Sequence, residues 1–430
     1  MDLAANRTQY SGVDIGALLH VRGPSVMDTD VVKRHFEANP DQQEAFDNVI
    51  NSRQPSFNAS QKQAAQRVTR SSTGLELIVG PPGTGKTDLG QTIVEGLAQC
   101  NFKVLVCSSK HEAVDVAFRK FQAITRLPVS QYFRWIDETP PNLQLSQNNS
   151  EIRVIFTTNA ASCPGTLCKF FRPQVVFVEE ASSATTQDLA VPLASYMQST
   201  KLVVLTGDPK QLQPNRPSAN VDESAEVSSR SHFEILLKEH EADHTMLKTS
   251  YRMTGELGGW INSEFYDHKV NFQGAPNPPL DASMEAILTP LKKTQAWNGR
   301  RRMAIDVSTR ADEQLAVYSS PSPGTLSHCN DMEATLIVEF IHRALAHPID
   351  ESQGQQRILP QDMLIISPYM SQIQLVKKKL LEKRIPSLKV SDLRLKTTSQ
   401  AQGSEASIVL VSLVRTNPFR PLDIGFIKRW

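Results

Sequence analysis

Eight consecutive residues, Gly80-Pro81-Pro82-Gly83-Thr84-Gly85-Lys86-Thr87, combine the side chains needed to hold a polyphosphate. Glycines let backbone N–H groups curl around phosphate oxygens, the lysine places a charge on the β and γ phosphates, and the threonine hydroxyl suits Mg²⁺. The run Leu75–Val79 precedes them and a helical pattern, Asp88–Gln99, follows. This is the strand–loop–helix setting in which a helix N-terminus adds its positive dipole. A second group with chemical potential closes another apolar run, where Val175–Val178 ends in Glu179 and Glu180. A carboxylate in the first position can hold a metal through its water shell, and one in the second can orient or deprotonate an attacking water. The expected cofactors are therefore ATP and Mg²⁺, with Thr87 and Glu179 on the metal and Glu180 catalytic.

Loop and acidic pair need strands to hold them, and the sequence supplies these at regular intervals. From Leu75 onward, LELIVG, KVLVCSS, IRVIFTT, QVVFVEE and KLVVLTG are each followed by ten or more residues of mixed polarity. Such alternation predicts βαβ units on a parallel sheet, whose strands are buried on both faces and so read as unbroken apolar runs. A sparser set, DMLIISP near Ile365 and ASIVLVSLV near Val409, follows the helical pattern Glu333–Ala346. The α/β class is thus expected twice: a first domain over 57–246 and a second over 247–430. Residues 1–56 form an unassigned N-terminal extension with a helix-like piece around Asp30–Val49. The stretch from Gly274 to Pro323, with Arg300, Arg301 and Arg302, reads as an irregular solvated loop, and Ser319–Gly324 as a short Ser/Pro-rich patch.

The composition sets limits on function. Among 430 residues, 46 Lys+Arg oppose 45 Asp+Glu, a net charge of +1, with 40% hydrophobic residues. Bulk charge gives no reason to expect a polyanion partner, so any such site has to be a local patch. Five irregularly spaced cysteines do not make a disulfide framework, which points to a reducing compartment, cytoplasmic or nuclear. Cys163 and Cys168 have no second Cys/His pair nearby and read as free thiols, and Lys377–Lys379 with Lys383 and Arg384 as a solvated helix face. No apolar run is long enough to span a membrane.

From about Phe57 to its last residue the chain resembles the superfamily 1 helicases, in the branch that contains the nonsense-mediated-decay RNA helicase and senataxin. The likeness rests on motifs in order. Phe57-Asn58-Ala59-Ser60-Gln61 is similar to the family's adenine-reading segment, which implies that Gln61 bonds the base. Val106–Lys110 with Ala113-Val114-Asp115, and Ile155–Ala160, resemble the motifs that contact the nucleic-acid strand, implying Ser108, Ser109, Thr157 and Thr158 in that role. Gly207–Pro214 is similar to motif III, in which Gln211 would sense the γ-phosphate. Ser250-Tyr251-Arg252-Met253 resembles Q-Y-R-M, implying Tyr251 stacked on adenine and Arg252 as an arginine finger. Ile366–Tyr369 with Gln372 matches a later segment, and Gln402-Gly403-Ser404-Glu405 the family's Q-G-x-E, with Glu405 on the ribose or an interdomain network.

What the resemblance implies is a P-loop NTPase of two RecA-like domains, acting as a monomer on single-stranded RNA or DNA with 5′-to-3′ polarity, under protein regulators. The residues themselves do not choose between RNA and DNA. The sequence departs from the pattern in three places. Glu179 stands where the family has Asp, Ser183 and Ser250 stand where it has Gln, and the chain ends at Gly425–Trp430 where the family continues into an arginine-bearing final motif. These departures predict a second domain incomplete at its C-terminus and slow hydrolysis, and they leave open a different class, a weakly catalytic ATP-binding scaffold for nucleic acid or a protein partner. A simple P-loop kinase needs neither Gly207–Pro214 nor Gln402–Glu405.

Overall fold

The computed structural model describes residues 30–136, 151–163, 167–214, 230–275, 278–288, 320–321, 327–386 and 388–414. Arg300–Arg302, most of the Ser319–Gly324 patch and the terminal Gly425–Trp430 lie outside the described residues. The chain divides into two compact units, Met1–Ala275 and Pro276–Trp430. Residues 247–275, expected to open a second domain, thus cluster with the first unit.

The first unit begins with helices α1 (Val31–Ala38), α2 (Pro40–Asn51) and α3 (Ala59–Thr69). It continues through β1 (Leu75–Val79), α4 (Lys86–Gln99), β2 (Val104–Ser108), α5 (His111–Ile124), β3 (Tyr132–Arg134), β4 (Val154–Thr158) and β5 (Val175–Val178). Next come α6 (Thr186–Tyr196), β6 (Leu202–Gly207), α7 (His232–Lys238), β7 (His244–Met246), β8 (Thr249–Ser250), α8 (Gly255–Phe265) and β9 (Asn271–Phe272). Seven strands form one parallel sheet in the order β3-β4-β2-β5-β6-β1-β7. The five central strands are buried at every position, which is why they read as continuous apolar runs. The order seats β6 between β1 and β5, so the phosphate loop and the acidic pair leave the sheet on either side of Gly207.

Residues 30–56 belong to this core. Val32, Phe36, Phe46 and Ile50 are buried in one cluster with Leu97 of α4 and Phe102. Phe46 lies so close to Gly96 that a Cβ there would come within 2.7 Å of its ring, so the glycine of α4 makes room for α2.

The second unit contains α9 (Pro278–Leu288), β10 (Ser320–Pro321), β11 (His328–Cys329), α10 (Asp331–Ala346), β12 (Met363–Ser367), α11 (Met370–Lys383), β13 (Arg394–Thr397) and β14 (Ile408–Val411). Its described sheet is parallel, in the order β13-β12-β14. The basic run on α11 is paired along the helix and with α10: Lys378 with Glu382, Lys379 with Asp331, Lys383 with Glu339.

Gln372, picked out in the sequence as part of a motif, is a structural hub of this unit. Its fully buried amide accepts from the Asn330 N–H at 2.8 Å and donates to the Asn330 carbonyl at 3.1 Å and to Ser412 Oγ at 3.0 Å. Ser412 in turn donates to Glu333, which also accepts from the Val414 amide. Val414 sits at φ 72, a conformation a β-branched residue adopts only when its surroundings impose it. Leucine at position 372 would fit the volume but remove the hydrogen bonds to buried groups of two residues, Asn330 and Ser412. Gln372→Leu is expected to lower the unfolding free energy by about 1–3 kcal/mol, read as a shift in urea midpoint, the cost of leaving buried groups unpaired.

Candidate nucleotide site

Carboxyl ends of parallel strands are where α/β sheets bind ligands, and β1, β6 and β5 deliver their following loops to one place. The Gly80 amide donates to the Gly207 carbonyl at 2.9 Å, joining the phosphate loop to the start of the 207–213 turn. Lys86 folds back over the loop and donates to the Gly80 carbonyl at 2.7 Å. Only glycine permits this, since a Cβ on residue 80 would come within 2.0 Å of Lys86 Cγ. Gly85, at φ 77, turns the chain into α4, and Thr84 Oγ1 donates to the Pro81 carbonyl at 2.8 Å.

A separate segment lies on top of this loop. The Tyr251 amide donates to the Gly83 carbonyl at 2.9 Å, and Ser250 Oγ donates to the Pro82 carbonyl at 2.7 Å. Gly83, at φ 74, is where the two meet: a Cβ there would come within 2.4 Å of Arg252 Cβ. The serine that replaces the family's glutamine thus has its own short-range task. Tyr251 is half exposed, and its hydroxyl accepts from Asn58 Nδ2 at 2.9 Å. Asn58 caps α3 together with Gln61, whose amide accepts from the Asn58 N–H and donates to the Thr84 carbonyl at 3.0 Å. Gln61, the loop, Tyr251 and Arg252 are therefore brought together. Gln61 is buried, and its amide serves the helix cap and the loop backbone.

The acidic pair splits in two directions. Glu180 adopts a left-handed conformation, φ 52, which leaves Glu179 buried and turns Glu180 out to partial exposure. Glu179 accepts from Gln91 Nε2 at 2.8 Å and from Thr206 Oγ1 at 3.1 Å, and it packs against Gly90. Burial, and secondarily the charge of Glu180, push its carboxyl up to about 7 despite these donors and the nearby Lys86. The side chain of Lys110 is held below the usual lysine range by burial, opposed by the charge of Glu180. The residues fit a hard divalent cation. Thr87 stands half-buried in the first turn of α4, Glu179 offers a carboxylate, and the buried Gln91 Oε1 lacks a donor.

The turn after β6 closes the site. Asp208, fully buried, accepts from the Lys210 amide at 3.0 Å on Oδ1, and on Oδ2 from Gln211 Nε2 at 2.9 Å and the Tyr266 hydroxyl at 2.6 Å. Its own amide donates to Ser182 Oγ at 3.2 Å. Sequence reasoning named Gln211 and missed Tyr266, Ser182, Thr206 and Gln91, none of which stands at a motif position assigned there. Of the four strand-contact candidates, Ser108 and Thr157 have no exposure and Thr158 very little, while Ser109 is half-buried and accepts from Asn159 Nδ2 at 3.2 Å. The hydroxyls of Ser108 and Thr157 are buried without a hydrogen-bond partner among the described residues. Glu405 lies in the second unit, exposed, two residues after Gly403 at φ 75.

A carboxyl raised from 4.5 to about 7 makes the folded chain bind more protons than the unfolded one between those values. Stability should therefore fall as pH rises through that window and stay lowered above it. Urea denaturation in metal-free buffer at pH 5 and pH 8 is expected to show wild type losing more stability than Glu179→Gln, and equal losses would contradict this.

Two family models, both described as AAA domain, match residues 56–253 and 228–430. The Mus musculus protein "3'-5' exoribonuclease HELZ2" is 25% identical over 61% of the chain and 8% of its own length. The Xenopus laevis "DNA replication ATP-dependent helicase/nuclease DNA2" is 27% identical over 84% of the chain and 34% of its own length. "RNA helicase Mov10l1" of Homo sapiens is 24% identical over 87% of the chain and 32% of its own length. The chain thus spans between 8% and 34% of the length of these relatives. With the phosphate loop, the acidic pair and the 207–213 turn converging as described, these matches support a superfamily 1 helicase core of the DNA2/NAM7 type.

Proposed function

We propose that the chain is the motor core of a helicase or translocase that couples hydrolysis of Mg-ATP to movement along single-stranded RNA or DNA. The observation that carries this reading is the seat of Ser250-Tyr251-Arg252 on the phosphate loop, made possible by the missing Cβ of Gly83. An exposed aromatic ring alone would serve nucleotide storage, whereas an arginine brought over the same loop by a separate segment adds the means to stabilise charge that develops on phosphoryl transfer. In this reading Lys86 binds the β and γ phosphates, Tyr251 and Gln61 flank the base, and Arg252 faces the γ-phosphate. Glu180 takes a proton from the attacking water. Magnesium, when bound near Thr87 and Glu179, neutralises charge on the phosphates.

The DNA2 and Mov10l1 relatives, named for DNA and RNA respectively, support nucleic acid as the track without choosing between the two. With a net charge of +1, binding has to come from a localised groove. Affinity for single strands should therefore fall with salt, with a slope set by few phosphate contacts.

Titration with a fluorescent ATP analogue is expected to show Lys86→Ala binding at least about tenfold more weakly, a loss of about 1.4 kcal/mol. Equal affinity would remove the phosphate-loop assignment. Steady-state phosphate release with single-stranded RNA or DNA is expected to vanish in Glu180→Gln while ATP binding persists. Arg252→Ala should lower the same rate by about 10³ or more, the scale of an arginine finger. Turnover untouched by Glu180→Gln would contradict the catalytic assignment and favour a scaffold.

A further inference from the structure

The 247–275 segment is anchored to the nucleotide site twice, and only the first anchor, at Gly83, falls within a sequence motif. The second is Tyr266, the residue that follows α8. Its ring is buried, and its hydroxyl donates at 2.6 Å to Asp208 Oδ2, the same oxygen that accepts Gln211 Nε2 at 2.9 Å. Burial, with the charge of Asp208, pushes the phenol above the usual tyrosine range, so it stays a donor at working pH.

The fold works to place this tyrosine. Asn262 holds the turn beyond it by donating to the Val270 carbonyl at 2.6 Å and accepting from the Val270 amide at 3.1 Å. Asp267 and His268 adopt left-handed conformations, φ 50 and 59, immediately after it, and the Lys269 amide returns to the Tyr266 carbonyl at 2.8 Å. Gly258 lets α8 press on Phe272, whose Cγ would lie 2.1 Å from a Cβ there. Two successive non-glycine residues with positive φ persist only where surrounding contacts over-determine them.

We propose that Tyr266 is a positioning residue: by fixing the Asp208 carboxylate it sets the orientation of the Gln211 amide toward the γ-phosphate. The proposal rests on the nucleotide reading above. Asp208 has no freedom to satisfy Gln211 alone, because its other oxygen is occupied by the Lys210 amide. Without the phenol, Oδ2 loses its shorter donor and the carboxylate can rotate, carrying the glutamine with it.

The test is the preference for ATPγS over ADP, measured by displacement of a fluorescent ADP analogue in the presence of Mg²⁺. Tyr266→Phe, which keeps the ring, is expected to reduce that preference about fivefold while ADP affinity stays within about twofold. In a Gln211→Ala background the same substitution should change nothing further, since residues acting through one interaction are non-additive. Asp208→Asn, which keeps the shape but leaves one acceptor oxygen for donors that now use two, should also reduce the preference, and it stands in if Tyr266→Phe does not fold. Multiplicative losses in the double variant, an unchanged preference in the single ones, or a fall in ADP affinity of the same size would overturn the proposal alone. A wild-type chain that binds no nucleotide would overturn the nucleotide reading and the proposal with it.

Discussion

A carboxylate without solvent exposure persists only if donors converge on it, and Asp208 is such a group. Its three donors come from its own turn, from Gln211 and from Tyr266, 58 residues further on. Each satisfies charge that burial would otherwise make costly, so each element that supplies one is fixed relative to β6. One residue earlier, the Gly207 carbonyl accepts the Gly80 amide, and Thr206 reaches Glu179 from the same strand. The end of β6 thereby ties the phosphate loop on one side to the acidic pair on the other. The sheet order makes this unavoidable, since β6 runs between β1 and β5.

The consequence for function is that the nucleotide's proposed ligands are held in one unit by short backbone contacts. Pro82 and Gly83 lend their carbonyls to Ser250 and Tyr251, and Thr84 lends its carbonyl to Gln61. A loop whose carbonyls are bonded in this way directs its amides elsewhere, which is the condition for binding phosphate. Glu179 carries the opposite constraint. It is longer than the family's aspartate, and Gln91 and Thr206 hold its two oxygens inside the sheet end, where burial favours the proton. Ionising it for a cation has a free-energy cost that an exposed carboxylate would not have.

Much of this was legible in the sequence because buried parallel strands and the phosphate loop are local signals. The runs from Leu75 to Gly207 became strands in the expected sheet, with Gly80–Thr87 following β1 and Glu179 and Glu180 following β5. What was illegible depends on what faces what at long range. Nothing in Ser250–Arg252 signals that it packs on Gly83, because the partner is an absent Cβ. Tyr266 looks like any aromatic at a helix end, and Phe46 like any apolar residue of an extension, until Asp208 and Gly96 lie opposite them. Ser108 and Thr157 stand at strand ends, and whether a hydroxyl there faces a ligand or the core is a matter of pleat that the motif does not encode. Gln372 drew notice as part of a motif, yet its hydrogen bonds to Asn330 and Ser412 make it a structural pin.

The Ser250–Arg252 segment, bonded to the Pro82 and Gly83 carbonyls, is expected to respond to nucleotide as one body with the phosphate loop. Amide hydrogen exchange over residues 248–253, compared with and without saturating Mg-ADP-beryllium fluoride, tests it most directly. The Tyr251 amide is bonded to the Gly83 carbonyl at 2.9 Å, so its exchange requires the two to part. Exchange across the segment is expected to slow about tenfold or more when nucleotide holds the loop, in step with protection of residues 80–90. Protection of 80–90 with no change at 248–253 would contradict the account.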